Sequence, residues 1–189
     1  MTQEEKGKVL VTLARAAIAE ALGIPYPVTT EEIRRQHPWL EAPGAAFVTL
    51  NRRENHALRG CIGSIIAHQS LFDDIVQNAR SAALNDPRFP PMRPEEFDDV
   101  TVEVSLLTPP QKLEYRDVED LKAKLVPGRD GVILRLGNAQ ATFLPQVWEE
   151  LPTFDAFMGH LCLKAGLPAD CVRQHPEIYV YQVEKYEEA

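Results

Sequence analysis

The string in this sequence best suited to chemistry is Leu58-Arg59-Gly60-Cys61-Ile62-Gly63-Ser64, which sets a thiol between two glycines and close to an arginine. Glycine leaves backbone N–H groups open to a ligand, and a neighbouring guanidinium lowers a thiol pKa from its ordinary value of ~8.5. Arg59, Gly60, Ile62 and Gly63 could thus line a pocket for a small anion. Alternatively, Cys61 is a nucleophile backed by Arg59 and an oxyanion site of N–H groups. A nucleophilic thiol needs a base within hydrogen-bond reach, and His56, His68 and Glu103 are the candidates. The same letters also fit a purely structural strand. Cysteine is among the most buried residue types, and a glycine inside a strand marks a bulge or a close approach of backbone to something else.

A second string, Asp86-Pro87-Arg88-Phe89, offers a carboxylate, a guanidinium and an aromatic ring within four residues. Arg88 could grip a carboxylate or phosphate bidentately from a cleft. The structural reading is a rigid connector in which Asp86 pairs with Arg88 and Phe89 plugs the core. His160, Cys162, Cys171 and His175 look superficially like metal ligands. Their spacing matches no standard zinc pattern, and residues two apart on a helix point about 200° apart, so no metal is expected. No dinucleotide fingerprint, phosphate-binding loop, serine-hydrolase elbow or zinc-protease motif is present, so no cofactor is expected.

These strings need elements to hold them. Val9, Leu10, Leu13, Ala16, Ala17, Ala21 and Leu22 recur at helical spacing and predict a helix over residues 3–22, with Gly23 at its end. Residues 45–50 and 58–66 read as a hairpin with its tip at 52–56. Ser70 caps a helix over 71–84. Val100, Val102, Val104 and Leu106 alternate with Thr101, Glu103 and Ser105, as in a half-buried antiparallel strand. A short helix over 117–125 precedes a second hairpin, 132–136 with 140–144. Helices over 145–151 and 154–165 follow, and residues 178–185 form one closing strand. Strands that arrive in hairpins, without strict βαβ alternation, predict an α+β fold. The sheet is antiparallel and flanked by helices. No linker separates independent domains in residues 1–189. A smaller hairpin-containing lobe around 111–144 packs against the main body, with a cleft between.

The 189 residues carry 20 Lys+Arg against 28 Asp+Glu, a formal charge of −8. An acidic surface repels polyanions, which disfavours nucleic acid as a partner. Three cysteines, an odd number, argue against a disulfide framework and fit a reducing compartment, with Cys162 and Cys171 as packing residues. No apolar run reaches the ~18–20 residues of a membrane span, and the polar, acidic start does not read as a signal peptide. A soluble cytoplasmic protein is the expectation.

Taken in order, these strings resemble the AMMECR domain family, also called AmmeMemoRadiSam system protein A. Leu58-Arg59-Gly60-Cys61-Ile62-Gly63 matches that family's hallmark letter for letter. Phe47-Val48-Thr49-Leu50 precedes it. The Ala-rich helix then leads to Asp86-Pro87-Arg88-Phe89, and Val104-Ser105 comes before Thr108-Pro109-Pro110. Gly131-Val132, Leu144-Pro145-Gln146-Val147-Trp148 and Lys164-Ala165-Gly166-Leu167 complete the series, which runs from about residue 5 to 186. The resemblance implies a two-lobed α+β fold with a cleft to which the hallmark strand contributes. It also implies an association with a Memo-like protein and a radical-SAM protein. It supplies no reaction. Its suspected functional patch falls on Arg59, Gly60, Cys61, Ile62 and Gly63, with Asp86, Arg88 and Phe89 as a second contributor. Arg52, Arg53 and His56, on the hairpin before the hallmark, are where this chain departs from other members.

Overall fold

The computed structural model describes residues 1–188, and these fall into two compact units. The first is discontinuous, built from residues 1–107 together with the segment from 184 onward; the second is residues 108–183.

In the first unit, α1 (Gln3–Leu22) starts at a Thr2 capping box with Glu5 and stops at Gly23, whose φ of 70° is the left-handed conformation that glycine adopts without strain. A short helix, α2 (Thr30–Gln36), is capped by Thr29. Then come β1 (Ala45–Arg52), β2 (Leu58–Gly63), α3 (Leu71–Leu84) and β3 (Val100–Leu107). Ser70 caps α3, as its position predicts, by accepting the Asp73 N–H at 3.0 Å. After the second unit the chain returns as β8 (Val183–Glu187), and the sheet order is β2-β1-β3-β8. Ala46, Val48, Leu50, Val100, Val102 and Val104 face α1 and α3 and are buried with them in one apolar core. Phe47, Thr49, Thr101, Glu103 and Ser105 lie on the opposite, half-buried face, as strand alternation requires.

Arg15 of α1 is buried in this core, and each of its three guanidinium nitrogens is bonded. It donates to the carbonyls of Phe97 and Val100 and grips Glu188 through Nε at 2.9 Å and Nη2 at 2.7 Å. Glu188 also accepts the Val102 N–H at 3.1 Å, so one ion pair ties α1, β3 and the end of β8 together.

In the second unit, β4 (Gln111–Lys112) is followed by α4 (Val118–Lys124) and the hairpin β5 (Gly131–Leu136) and β6 (Ala139–Phe143). Next come α5 (Phe154–Lys164) and β7 (Glu177–Tyr181), in a sheet ordered β4-β7-β5-β6. The residues after Pro145 form a 3₁₀ turn, Pro145–Glu149, instead of the expected helix. Its Trp148 stacks on Phe157 of α5 with ring centroids 3.8 Å apart.

Two further expectations are corrected. The closing strand is two strands in two sheets, broken at Gln182. There the main-chain N–H donates to Thr108 Oγ1 at 2.8 Å and the side-chain amide to Asp130 at 2.9 Å, so this residue leaves both ladders. Cys162 and Cys171 are joined by a disulfide. A 3₁₀ turn, Cys171–Gln174, brings the second sulfur back onto the end of α5, with the two Cα atoms 5.9 Å apart and both residues buried. The low cysteine count therefore no longer argues for a reducing compartment. Among the described residues no helix is long and apolar enough to cross a membrane.

Candidate functional site

β2 is an outer strand of the first sheet, paired on one side only. Its register with β1 sets Gly63 opposite Phe47, Ile62 opposite Val48, Cys61 opposite Thr49 and Gly60 opposite Leu50. The two glycines serve packing. A Cβ on Gly60 would lie 2.1 Å from the Ala82 carbonyl oxygen of α3, and one on Gly63 would lie 2.2 Å from the Phe47 ring. Only bare backbone lets the strand approach the helix this closely, so close approach is the reading that holds, and neither glycine has a positive φ.

Arg59 points away from the expected anion pocket. It is 1% exposed, and its Nη2 donates to the Pro90 carbonyl at 2.8 Å and to Glu96 at 2.9 Å. Its Nη1 is buried without a partner among the described residues. Burial tends to raise the Glu96 pKa, but the Arg93 N–H and the Arg59 guanidinium outweigh it and hold the carboxyl below its usual range. Arg59 is thus neutralised beneath the surface, and the charge that faces the thiol is Arg88.

Cys61 is half-buried, and its Sγ lies 3.2 Å from Thr49 Oγ1, its one hydrogen-bonding partner among the described residues. Burial pushes the thiol pKa up, more than the Thr49 hydroxyl and Arg88 draw it down. The sulfur is therefore a protonated thiol at neutral pH. His56 sits exposed on the hairpin tip with φ 60°, and exposed His68 faces the Ile66 carbonyl at 3.4 Å; neither bonds the sulfur. Glu103 occupies the same sheet face, because Thr49 pairs with Cys61 on one side and with Glu103 on the other. Its carboxyl is raised by burial against the opposing pull of Lys185, which lies 3.6 Å away.

Asp86 is the centre of the arrangement. It is 4% exposed and accepts four hydrogen bonds: Cys61 N–H at 3.0 Å, Arg88 N–H at 3.0 Å, Arg88 Nε at 3.0 Å and Arg88 Nη2 at 2.7 Å. The Arg88 guanidinium, aided by these N–H groups, holds the Asp86 carboxyl far below the usual carboxylate range. Arg88 Nη2 also reaches the Cys61 carbonyl at 3.4 Å. The Asp86–Arg88 pair thus occupies the outward N–H and C=O of Cys61, where a neighbouring strand would otherwise bond. Phe89 lies beneath both guanidinium groups, 5.5 Å from Arg88 and 5.9 Å from Arg59.

The sequence strings therefore meet: Arg59, Gly60, Cys61, Ile62 and Gly63 on β2, and Asp86, Arg88 and Phe89 against its edge. Thr49 and Glu96 are not among the site residues expected from the sequence. Counting outward from the expected tip at 52–56 sets Thr49 opposite Arg59, and the register shift between Leu50 and Asn51 is what brings it opposite Cys61; nothing local marks Glu96. A buried network also went unseen. Asp74 of α3 accepts the Ala46 N–H at 2.8 Å and the Ser64 hydroxyl at 2.7 Å, which fixes where β1 begins and where the chain leaves β2. Chemically, the site presents an unactivated thiol, a hydroxyl and an exposed guanidinium whose Nη1 enters none of these bonds. Cys162 and Cys171 bond each other, so neither thiolate is available to a metal.

A family profile described as AMMECR1 matches residues 11–186. Protein MK0488 of Methanopyrus kandleri is 40% identical over 193 residues, 97% of this chain and 89% of its own length. Protein TK0174 of Thermococcus kodakarensis is 39% identical over 98% of this chain and 92% of its own. The crystal structure of uncharacterized protein PH0010 from Pyrococcus horikoshii superposes with a TM-score of 0.83 at 38% identity, covering 98% of this chain and 93% of that one.

Proposed function

This chain belongs to the AMMECR1 family, and from that premise we propose that it is a binding and accessory component, acting with a Memo-like and a radical-SAM protein through the surface around β2. The observation that carries the reading is the Asp86–Arg88 clamp on Cys61. It makes the strand edge a rigid platform and leaves the outer face of Arg88 free for a partner's carboxylate or another small anion. The competing reading, a Cys61 nucleophile with Arg59 and backbone N–H groups as its anion site, has lost several parts. Arg59 is sealed against Glu96, the Cys61 N–H is given to Asp86, and the thiol is protonated with no base bonded to it.

Two measurements decide between them. In calorimetric titration against the purified Memo-like and radical-SAM proteins, the native chain and Cys61→Ser should bind alike, and Arg88→Glu should bind at least about tenfold more weakly. Absence of binding to either protein removes the reading. Iodoacetamide at pH 7 should modify Cys61 more slowly than a free peptide thiol; faster modification would restore the nucleophile.

A further inference from the structure

Gly63 is the next outward residue on β2 after Cys61, and the Asp86–Arg88 clamp stops short of it. We propose that its main chain, with Arg88 beside it, receives the C-terminal residue of an extended partner polypeptide, read as a free carboxylate next to an apolar side chain. This inference rests on the reading of the β2 surface as a docking platform and names the chemistry of what docks there.

The hydrogen-bond phase of the hairpin opens the site. Ser64 N–H donates to the Ala46 carbonyl at 3.1 Å, and the register then runs unshifted from Gly63 opposite Phe47 to Gly60 opposite Leu50. Bonded pairs alternate along an antiparallel ladder, so Ile62 and Gly60 turn their polar groups to β1 while Cys61 and Gly63 turn theirs outward. The bond from Cys61 N–H to Asp86 shows the same phase. Along the edge, Cys61 N–H is held by Asp86 and Cys61 C=O is met by Arg88 Nη2. Next come the N–H and C=O of Gly63, which no group among the described residues bonds.

The clamp selects what fits. A strand laid antiparallel to β2 can pair with Gly63, but it runs into Asp86 and Arg88 two residues further on, about 7 Å along the edge. A chain that ends opposite Gly63 meets no such obstacle. Its last N–H donates to Gly63 C=O, and one carboxylate oxygen accepts the Gly63 N–H. The other oxygen faces Arg88 Nη1, the guanidinium nitrogen that the clamp leaves free. A parallel approach would instead set a terminal ammonium against Arg88, a like charge. Main-chain bonds to a strand edge, with a terminal carboxylate captured at its end, are an established way of recognising peptides.

Arg88 is ready for this task before anything binds. Asp86, almost fully buried, grips its Nε and Nη2 and so fixes the guanidinium. Asp86 also balances its charge, which suits one carboxylate better than a doubly charged phosphate. The apolar side chain follows from Gly63. A Cβ there would lie 2.2 Å from the Phe47 ring, so the ring covers the glycine. A residue added opposite Gly63 turns its side chain to the same face of the sheet, toward that ring.

The test uses the full chain and a pentapeptide of serine and threonine ending in leucine, labelled with fluorescein at its N-terminus and read by fluorescence anisotropy. We expect saturable binding of the free acid, and binding at least about tenfold weaker when the same peptide ends in an amide. Moving the carboxylate to an internal glutamate under an amidated end should not restore it. N-acetylleucine offers the terminal residue without the strand behind it, and should displace the peptide only at about tenfold higher concentration or more. The Gly63 amide should shift in an NMR titration with the free acid. Equal binding of the amide, rescue by the internal glutamate, equal binding of N-acetylleucine, a Gly63 amide that does not move, or absence of binding would each overturn the inference. Calorimetry with the Memo-like and radical-SAM proteins is independent of all these outcomes, so the inference and the reading beneath it fail separately.

Discussion

Asp86 in the first unit and Asp130 in the second are built alike and hold different things. Each is an almost fully buried carboxylate paired with an exposed arginine close by in sequence: Arg88 at 2.7 Å and Arg129 at 2.8 Å. Each also accepts a main-chain N–H, from Cys61 for Asp86 and from Val126 for Asp130. Asp86 uses that bond to reach 25 residues back and cover the edge of a strand. The Asp130 carboxylate spends its main-chain bond within four residues, closing the turn before β5, and reaches a distant element through the Gln182 side chain. The device is the same, but only the first fixes a backbone that other molecules could read. Prominence of a motif such as Asp-Pro-Arg-Phe therefore measures how far its bonds travel more than what chemistry it performs.

The comparison can be broken most severely at the seat of the β2 strand. Gly60→Ala forces a Cβ into the Ala82 carbonyl at 2.1 Å. It should lower the free energy of unfolding by about 3 kcal/mol or more in urea titration. A loss under about 1 kcal/mol would mean that the clamp, and not the glycine, sets the strand's place. Reducing the Cys162–Cys171 bridge, which closes a loop of sequence separation 9, should cost about 3 kcal/mol by loop entropy. The loss should appear as faster hydrogen exchange in α5, with Cys61 unaffected.

Asp86→Ala and Asp130→Ala sharpen the contrast directly. Each should cost about 2–3 kcal/mol, because each leaves a buried N–H without an acceptor. Exchange of the Cys61 amide should quicken only in the first variant, and that of Val126 only in the second. Matching exchange profiles would erase the distinction.

The smallest effect is in acid. The Arg88 guanidinium lowers the Asp86 carboxyl. For Asp130, burial raises the carboxyl but Arg129, Val126 and Gln182 outweigh it, so the net shift is again downward. The unfolded chain, with aspartate near ~3.9, binds more protons than the folded one between the folded pKa and that value. The stabilisation is therefore complete above about pH 4 and is lost as pH falls through the folded pKa values. Thermal midpoints should be insensitive to these groups from pH 7 to about 5 and should drop below about 4. The drop should be shallower in either alanine variant.

Much of this architecture is legible in the sequence because its cause is local. The alternation in Val100–Leu107, the helical spacing in α1 and the Ser70 cap each need only neighbours a few residues away. The clustering of β2 with Asp86, Arg88 and Phe89 rested on the family resemblance. What escaped is set by partners far along the chain. Period-two alternation runs unbroken from Ile178 through Val183, so only Thr108 and Asp130 reveal that Gln182 ends one sheet's strand and begins the other's. Alternation puts Arg59 on the same face as Cys61, but a segment more than thirty residues later, Pro90 to Glu96, seals it. Cysteine arithmetic missed the disulfide because a turn, not a spacing, brings the sulfurs together.

The discontinuity of the first unit has a consequence for synthesis on the ribosome. The second unit is contiguous, so all of its strands and both disulfide cysteines have emerged before Glu188 does. The first unit must wait, because Arg15 is made before the second unit and its carboxylate partner after it. Vectorial translation thus leaves a buried-type arginine and the open side of β3 exposed while the second unit is being made. The inserted unit can complete its fold first, and the unit that hosts it closes only when β8 arrives.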